Sequence, residues 1–437
     1  MNALIMAAQL VLGLSILVVL HELGHYLAAR AFGIRVEKFF LFFDAWGVKL
    51  FSFKKGETEY GVGWLPLGGY VKIAGMIDES LDKEQMNKPA QPWEFRAKPA
   101  WQRLIVMIAG VTVNLILGIL LFAFILLKYE QQYLPVSEVN RDGIYASSAG
   151  RAAGFVTGDR IVAINGKPVE RFKDVQSMRN LFGSTISVER NGKPFDIIIP
   201  DDFYKTEAVS SRNRFVEALN FEPSVDSVLP AFPAALAGVH KGDRILKVDS
   251  IEISNYGQFR DLVSSMGGKT TLITVLRQSD TVALNMVIDS TGYIGITAGV
   301  PYKMLPYSFG SSLNYGYSDA MDMLVINIKG LGKVFSGKEK ASDSIQGPIG
   351  IAQIYGSKWV WSKFWFITAL LSLILAFMNI LPIPALDGGH VVFLFYEIIS
   401  RRKPSDKFME YAQIAGMVIL LGIMVFAVGN DLFKIFK

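Results

Sequence analysis

The sequence predicts a polytopic α-helical membrane protein with about four transmembrane helices, a membrane-associated β-hairpin and a polar insert built as two tandem copies of one small α+β domain. Three observations predict it. The chain has 437 residues, 51% hydrophobic and only 19% charged, and four of its apolar stretches reach the ~20 residues that cross a bilayer. A segment rich in glycine, aromatic and β-branched residues separates the first two stretches and reads as strand, turn, strand. The long segment between the second and third stretches repeats itself, Ala153 realigning with Ala237.

The first span runs from Ala3 to Leu20 and continues as a helical pattern to about Ala31. It lacks a basic leader and a small-residue cleavage site, so it reads as a retained span. The second covers Leu104 to Leu127, the third Phe364 to about Ile383, and the fourth about Ala412 to Val428. Pro382 and Pro384 close the third, because proline cannot continue a helix. Basic residues set the orientation. Arg30, Arg35 and Lys38 follow the first span, Arg96, Lys98 and Arg103 precede the second, and Arg401, Arg402, Lys403 and Lys407 separate the third from the fourth. All three groups share the inner side if both termini lie outside, which puts the loop from Lys128 to Lys363 outside as well.

The segment Glu59 to Lys72 is too apolar for a solvated loop and fits a re-entrant or interfacial hairpin whose backbone groups are buried by protein. Ala320 to Phe335 is amphipathic and suits the outer membrane surface.

The repeat pairs Ala153-Gly154-Phe155-Val156-Thr157-Gly158-Asp159-Arg160-Ile161 with Ala237-Gly238-Val239-His240-Lys241-Gly242-Asp243-Arg244-Ile245. A short apolar segment and a turn follow in each copy, at Ile164-Asn165-Gly166 and Val248-Asp249-Ser250. This pattern, from Tyr129 to Tyr302, resembles two tandem PDZ domains of bacterial envelope proteases. PDZ domains bind extended peptides or C-termini by strand addition. Leu219-Asn220-Phe221 and Ile294-Gly295-Ile296 are the candidate binding loops, with ordinary strand residues as the equal alternative.

Composition narrows the chemistry. Without cysteine there is no disulfide, cysteine-based zinc site or thiol nucleophile. A net charge of +5 without a long basic run gives no reason to expect a nucleic-acid partner. Of four histidines, His21 and His25 stand four apart with Glu22 between them. On a helix that spacing puts both imidazoles on one face, where they can reach one zinc ion. Glu22 can then take a proton from a water that zinc makes acidic, leaving hydroxide to attack a peptide carbonyl. The bland alternative is a charged helix end at the interface, but polar groups continuing an apolar span are costly unless they pair or work. A catalytic zinc site usually has a third protein ligand, and Asp387 and His390 are the candidates. Both lie where the third span closes on the same inner side as His25.

HExxH in the first span, Asn379-Ile380-Leu381-Pro382-Ile383-Pro384-Ala385-Leu386-Asp387-Gly388-Gly389 at the third, and the paired PDZ-like copies between them together resemble the site-2 protease family of intramembrane zinc metalloproteases. The likeness is nearest to its bacterial regulator of sigma-E protease branch. Leu65-Pro66-Leu67-Gly68-Gly69-Tyr70-Val71-Lys72 and Gln346-Gly347-Pro348-Ile349 extend it over nearly the whole chain. The resemblance implies Zn2+ held by His21, His25 and Asp387, with Glu22 as base and Asn379, Pro382 and Pro384 beside the substrate. His390 becomes a neighbour, and Asn114, mid-span, is as readily an interhelical hydrogen bond as a functional group. The family's membrane-embedded β-loop often has a Gly-x-Gly after the first span; around Phe43 to Gly47 that pattern is absent, while Gly61-Val62-Gly63 occurs later and makes Gly61 and Gly63 substrate-binding candidates, and Gly110-Val111 stands where many relatives have Gly-Pro. Implied partners are the lipid bilayer, single-span substrates of the anti-sigma factor type or remnant signal peptides, and peptide C-termini at the PDZ-like copies. Those copies would act as a substrate size filter.

The domain boundaries that follow are 1–31 for the first span, 32–100 for the inner loop with the hairpin, 101–128 for the second span, and 129–221 and 222–302 for the two copies. An outer amphipathic connector takes 303–363, the third membrane segment 364–390, and the inner loop with the fourth span 391–437. The implied location is the bacterial inner membrane, with the insert and both termini periplasmic and the active site toward the cytoplasm.

Overall fold

The structure is a computed structural model, and it describes residues 2–66, 68–76, 89–176, 183–200, 203, 215–230, 232–290, 292–299, 302–337, 342 and 346–436. Leu67, in the Leu65 to Lys72 motif, lies outside them. Two compact units result: one from the chain up to Glu130 and from Ser308 onward, the other from Gln131–Tyr307.

In the first unit, helix α1 (Asn2–Ala31) is apolar around most of its circumference and ends where Gly33 turns left-handed, φ +65°. Four strands follow: β1 (Val36–Leu41), β2 (Lys49–Lys55), β3 (Thr58–Gly63) and β4 (Tyr70–Ile73). Their order is β2-β3-β1-β4. The expected hairpin between Glu59 and Lys72 is therefore not one, because β3 and β4 flank β1 instead of pairing. β1 runs parallel to β3, with Phe40 beside Gly61, and antiparallel to β4, with Phe40 beside Tyr70. The cause is Phe40, 1% exposed, whose ring fills the place a side chain at Gly61 would take. β2 and β4 are the edges.

Helix α2 (Ala100–Ile125) is the hub, packing on α1 and on the later helices Phe309–Phe335, Trp361–Ile380 and Asp387–Ser400. Gly24 makes the α1 crossing close: a methyl group there would stand 2.7 Å from the Ala109 carbonyl oxygen. Small residues at a helix crossing permit such approach. Helix α3 (Phe309–Phe335) starts at a capping box of Ser308 and Ser311, eleven residues before the amphipathic stretch expected from the sequence. It lays Ala320 and Met321 against Phe122 of α2. Helix α4 (Pro348–Tyr355) is short, and α5 (Trp361–Ile380) stops just before the two prolines. Helix α6 (Asp387–Ser400) begins at Asp387 itself, and α7 (Asp406–Phe436) ends the unit. Among the described residues, four helical stretches are long and apolar enough to cross a membrane: Ala3–Ala31, Ala100–Glu130, Trp361–Ile380 and Lys407–Lys434. The protein is a polytopic membrane protein with β elements.

In the second unit the sequence repeat becomes a structural one. Strands Lys167–Pro168, Arg160–Ile164, Ser184–Arg190 and Lys193–Ile199 lie side by side in that order. Ile251–Glu252, Arg244–Val248, Thr270–Arg277 and Asp280–Val287 repeat the arrangement. Each half has its own apolar core, around Phe155 and Ile186 in one and Ile245 and Val275 in the other.

The repeated aspartate explains the Gly-Asp-Arg-Ile signal. Arg190 grips Asp159 with two bonds of 2.7 Å and also donates to the Gly154 carbonyl. Arg277 grips Asp243 with two bonds of 2.8 Å and donates to the Gly238 carbonyl. Two parallel bonds from one guanidinium fix a buried carboxylate firmly. In the candidate binding loops, Leu219 N–H donates to the Gly143 carbonyl, and the Ile294 and Gly295 carbonyls accept from Ala234 and Leu229.

Candidate metal centre

The site grows from the end of α1. His21, Glu22 and His25 occupy one turn, and both histidines are buried, 7% and 5% exposed. Asp387 arrives from the far end of the chain at the first position of α6. Its Oδ2 lies 3.2 Å from Nε2 of His21 and 3.4 Å from Nε2 of His25. The two Nε2 atoms are 3.2 Å apart.

This triangle is the size that a metal requires. Zinc bonds of about 2.0–2.1 Å in tetrahedral geometry set neighbouring ligand atoms about 3.3–3.4 Å apart. Three such atoms, two of them bare ring nitrogens, gain little from each other directly. Asp387 Oδ2 is buried and finds no hydrogen-bond donor in line, although both rings are adjacent. A buried carboxylate oxygen without a donor is costly, and a cation between the three atoms satisfies all of them.

The surroundings aim the rings. Nδ1 of His25 faces the Val106 carbonyl at 2.8 Å. A carbonyl only accepts, so Nδ1 carries the proton and Nε2 is left with its lone pair inward. Nδ1 of His21 meets the Asn114 side-chain amide at 3.1 Å, and Asn114 is fully buried. Asn379, near the end of α5, sets its amide 3.2 Å from His21 Nε2. Gly110 gives α2 its close approach: a methyl group there would lie 2.3 Å from His25 Nε2 and 2.8 Å from His21 Cε1.

The loop Leu381–Leu386 carries Asp387, and the Asp-Gly-Gly sequence is what lets it fold so tightly. A methyl group at Gly388 would stand 2.2 Å from the Leu381 carbonyl oxygen, and one at Gly389 2.6 Å from Pro384 Cα. A carboxylate at the first turn of α6 also sits favourably in the helix dipole.

Beside the cluster opens a cavity of about 510 Å³ lined by Glu22, Tyr70, Val71, Leu386, His390 and Gln413, among others. Glu22, His21, His25 and Asp387 are thus together, and His390 faces the same space without joining the triangle. Pro382 and Pro384 shape the loop behind Asp387. Gly61 and Gly63 lie in β3, where Gly61 pairs with Phe40 and Ser52 and Gly63 pairs with Lys49. A methyl group at Gly63 would meet the Phe43 backbone at 2.2 Å, so both glycines serve close packing within the sheet. The sheet element at the cavity is the edge strand β4. Which strand between Glu59 and Lys72 forms this edge was not legible in the sequence, because strand order depends on β1 entering between β3 and β4. Gln413 was missed for a simpler reason: one polar residue at the start of an apolar stretch carries no periodic signal.

Two imidazoles on a helix long enough to cross a membrane, converging with a carboxylate beside a glutamate, describe a membrane-embedded metallopeptidase. The chain belongs to Peptidase family M50, which it matches over residues 9–423, and it is a zinc metalloprotease of the site-2 type. It is similar to the metalloprotease MmpA of Caulobacter vibrioides, with 30% identity covering 99% of this chain and 97% of that one. It is similar to a putative zinc metalloprotease of Treponema pallidum, 27% identical over 96% of each chain. The regulator of sigma-E protease of Salmonella typhimurium is 28% identical over 97% of each chain.

Proposed function

We propose that His21, His25 and Asp387 hold the zinc ion and that the protein cuts the membrane-spanning segments of single-span proteins. The carrying observation is the triangle of 3.2, 3.2 and 3.4 Å between three ligand atoms, two from the first span and one from the start of α6, just past the third span. A zinc ion held there would supply acidification of water and polarisation of the scissile carbonyl. Glu22, on the cavity wall, takes one proton from the attacking water as its oxygen bonds to the carbonyl carbon. It then delivers that proton to the leaving nitrogen as the C–N bond breaks. The Asn379 amide, beside His21 Nε2, is placed to donate to the substrate's backbone.

A helical substrate conceals its carbonyls in its own hydrogen bonds, so cleavage needs an extended segment. Edge strand β4, at the cavity, supports presentation by strand addition. The two halves of Gln131–Tyr307 are read as PDZ domains that exclude substrates with bulky outer regions. The names of the relatives favour substrates of the anti-sigma factor type, and remnant signal peptides fit the same chemistry. We place the protein in a bacterial inner membrane, with Gln131–Tyr307 and both termini periplasmic and the metal centre toward the cytoplasm.

The test uses purified protein in lipid with a tagged single-span substrate lacking an outer domain. Wild type should carry about one zinc and cut. Glu22→Gln should keep zinc and not cut, and His21→Ala should lose both. Cutting by Glu22→Gln at the wild-type rate would remove Glu22 from the mechanism.

A further inference from the structure

We infer that Gln413, on the last helix, is a positioning residue that fixes the zinc-facing carboxylate of Asp387. This rests on the reading of His21, His25 and Asp387 as the metal site, and it assigns the fourth span a part in that site.

Asp387 reaches the triangle from a loop, so something must define where the loop stops. Within Leu381–Leu386 the chain holds itself by two turns: Ile383 N–H donates to the Leu381 carbonyl at 2.7 Å, and Leu386 N–H to the Ile383 carbonyl at 3.0 Å. Within the second turn Ala385 is left-handed, φ +81°. A side-chain-bearing residue keeps that conformation only when its surroundings over-determine it. Its N–H points out of the loop and donates to Gln413 Oε1 at 3.2 Å.

Two further features make this contact a built one. Gln413 is 6% exposed, a polar group taken out of solvent on a helix that is otherwise strongly apolar. Three residues on, and so on the same face, Gly416 lets α7 close on the loop. A methyl group there would sit 1.6 Å from the Pro384 carbonyl oxygen. The glutamine and the glycine thus address neighbouring backbone groups, Ala385 N–H and Pro384 C=O, directly before the ligand. Gln413 also lines the cavity with Glu22 and Asp387. Any tilt of α7 is thereby passed to the carboxylate through one hydrogen bond and one backbone contact.

Outer partners that orient a ligand typically change metal affinity 10–100-fold when lost. The experiment measures zinc affinity of the full chain in nanodiscs by competition with a chromophoric chelator. It compares wild type, Gln413→Met, Gln413→Glu and Asp387→Ala, and records thermal unfolding of each zinc-free form. Methionine keeps the length and lacks the acceptor, whereas glutamate keeps an oxygen that accepts the same bond. We expect Gln413→Met to bind zinc about 10-fold or more weakly with an unchanged zinc-free unfolding midpoint, and Gln413→Glu to bind at least as well as wild type. Wild-type affinity in Gln413→Met, with Asp387→Ala defective, would overturn the inference and leave the metal site standing. Equal losses in Gln413→Met and Gln413→Glu with lowered midpoints would also overturn it, since helix packing and not the bond would be at work. Wild-type affinity in Asp387→Ala would instead overturn the metal-site reading on which the inference depends.

Discussion

The side-chain amide of Asn114 meets Nδ1 of His21 at 3.1 Å in the buried centre of α2, which leaves Nε2 of that ring turned toward His25 and Asp387. Among the described residues Asn114 Oδ1 has no hydrogen-bond partner. The two ends of an amide are alike in shape, and turning Oδ1 to the ring lets Nδ1–H donate to it. That is the tautomer a ligating Nε2 requires. Asn114→Ala should therefore weaken zinc binding about 10–100-fold, measured by chelator competition. Asn114→Asp, which keeps the acceptor, should recover most of the loss.

Gly110 is a steric counterpart. Its Cα leaves room for the two rings that no side chain could share, since a methyl group would enter within 2.3 Å of His25 Nε2. Gly110→Ala should reduce bound zinc to below about one tenth, in line with the loss of a correctly oriented ligand. The readout is zinc per protein after dialysis against chelator, together with substrate cleavage. Full zinc and full cleavage in Gly110→Ala would show that α2 can retreat from the rings.

How much of this was legible follows from which features are local. HExxH and the proline-rich loop before Asp387 carry their chemistry at fixed spacing, so His21, Glu22, His25 and Asp387 stand out before any fold is known. Apolar length reveals the four spans for the same reason. Strand order is not local. Glu59 to Lys72 reads as a hairpin because its alternation says nothing of β1, which parts β3 from β4 by burying Phe40. In the sheet Gly61 and Gly63 also make room for Phe40 and Phe43, which no local pattern announces. Asn114 and Gln413 are single polar residues in apolar helices, and only a partner's position separates a ligand's support from an interhelical bond.

Asp431, near the end of α7, is 3% exposed and accepts from Gly347 N–H at 3.0 Å and Gly350 N–H at 2.8 Å. It caps α4 from another helix, supplying what Gly347 lacks as a cap. Asp431→Ala should destabilise that helix locally by about 1 kcal/mol, the usual value of a cap. Hydrogen exchange of the Pro348–Tyr355 amides should then quicken roughly 5-fold, with the other helices unchanged.

The last prediction concerns acid. Burial pushes the Asp243 carboxyl up, but the Arg277 fork and the His240 N–H more than reverse this, so its pKa lies below the ordinary carboxylate value. In the unfolded chain the same group titrates near its reference of about 3.9. The unfolded state therefore binds the proton more readily, and the pair's stabilisation is fully present above that pH. It is lost as pH falls below about 4 and through the folded-state pKa. Arg277→Leu leaves the 1%-exposed Asp243 side chain without its fork. Asp243 is then left buried without its charged partner, so this half should lose stability at neutral pH. Hydrogen exchange of strands Arg244–Val248 and Thr270–Arg277 at pH 7 and in a series below pH 4 measures both effects. The variant should exchange faster at pH 7 and show a shallower loss of protection in acid. An equally steep acid loss in Arg277→Leu would assign the pH dependence to other carboxylates of this half.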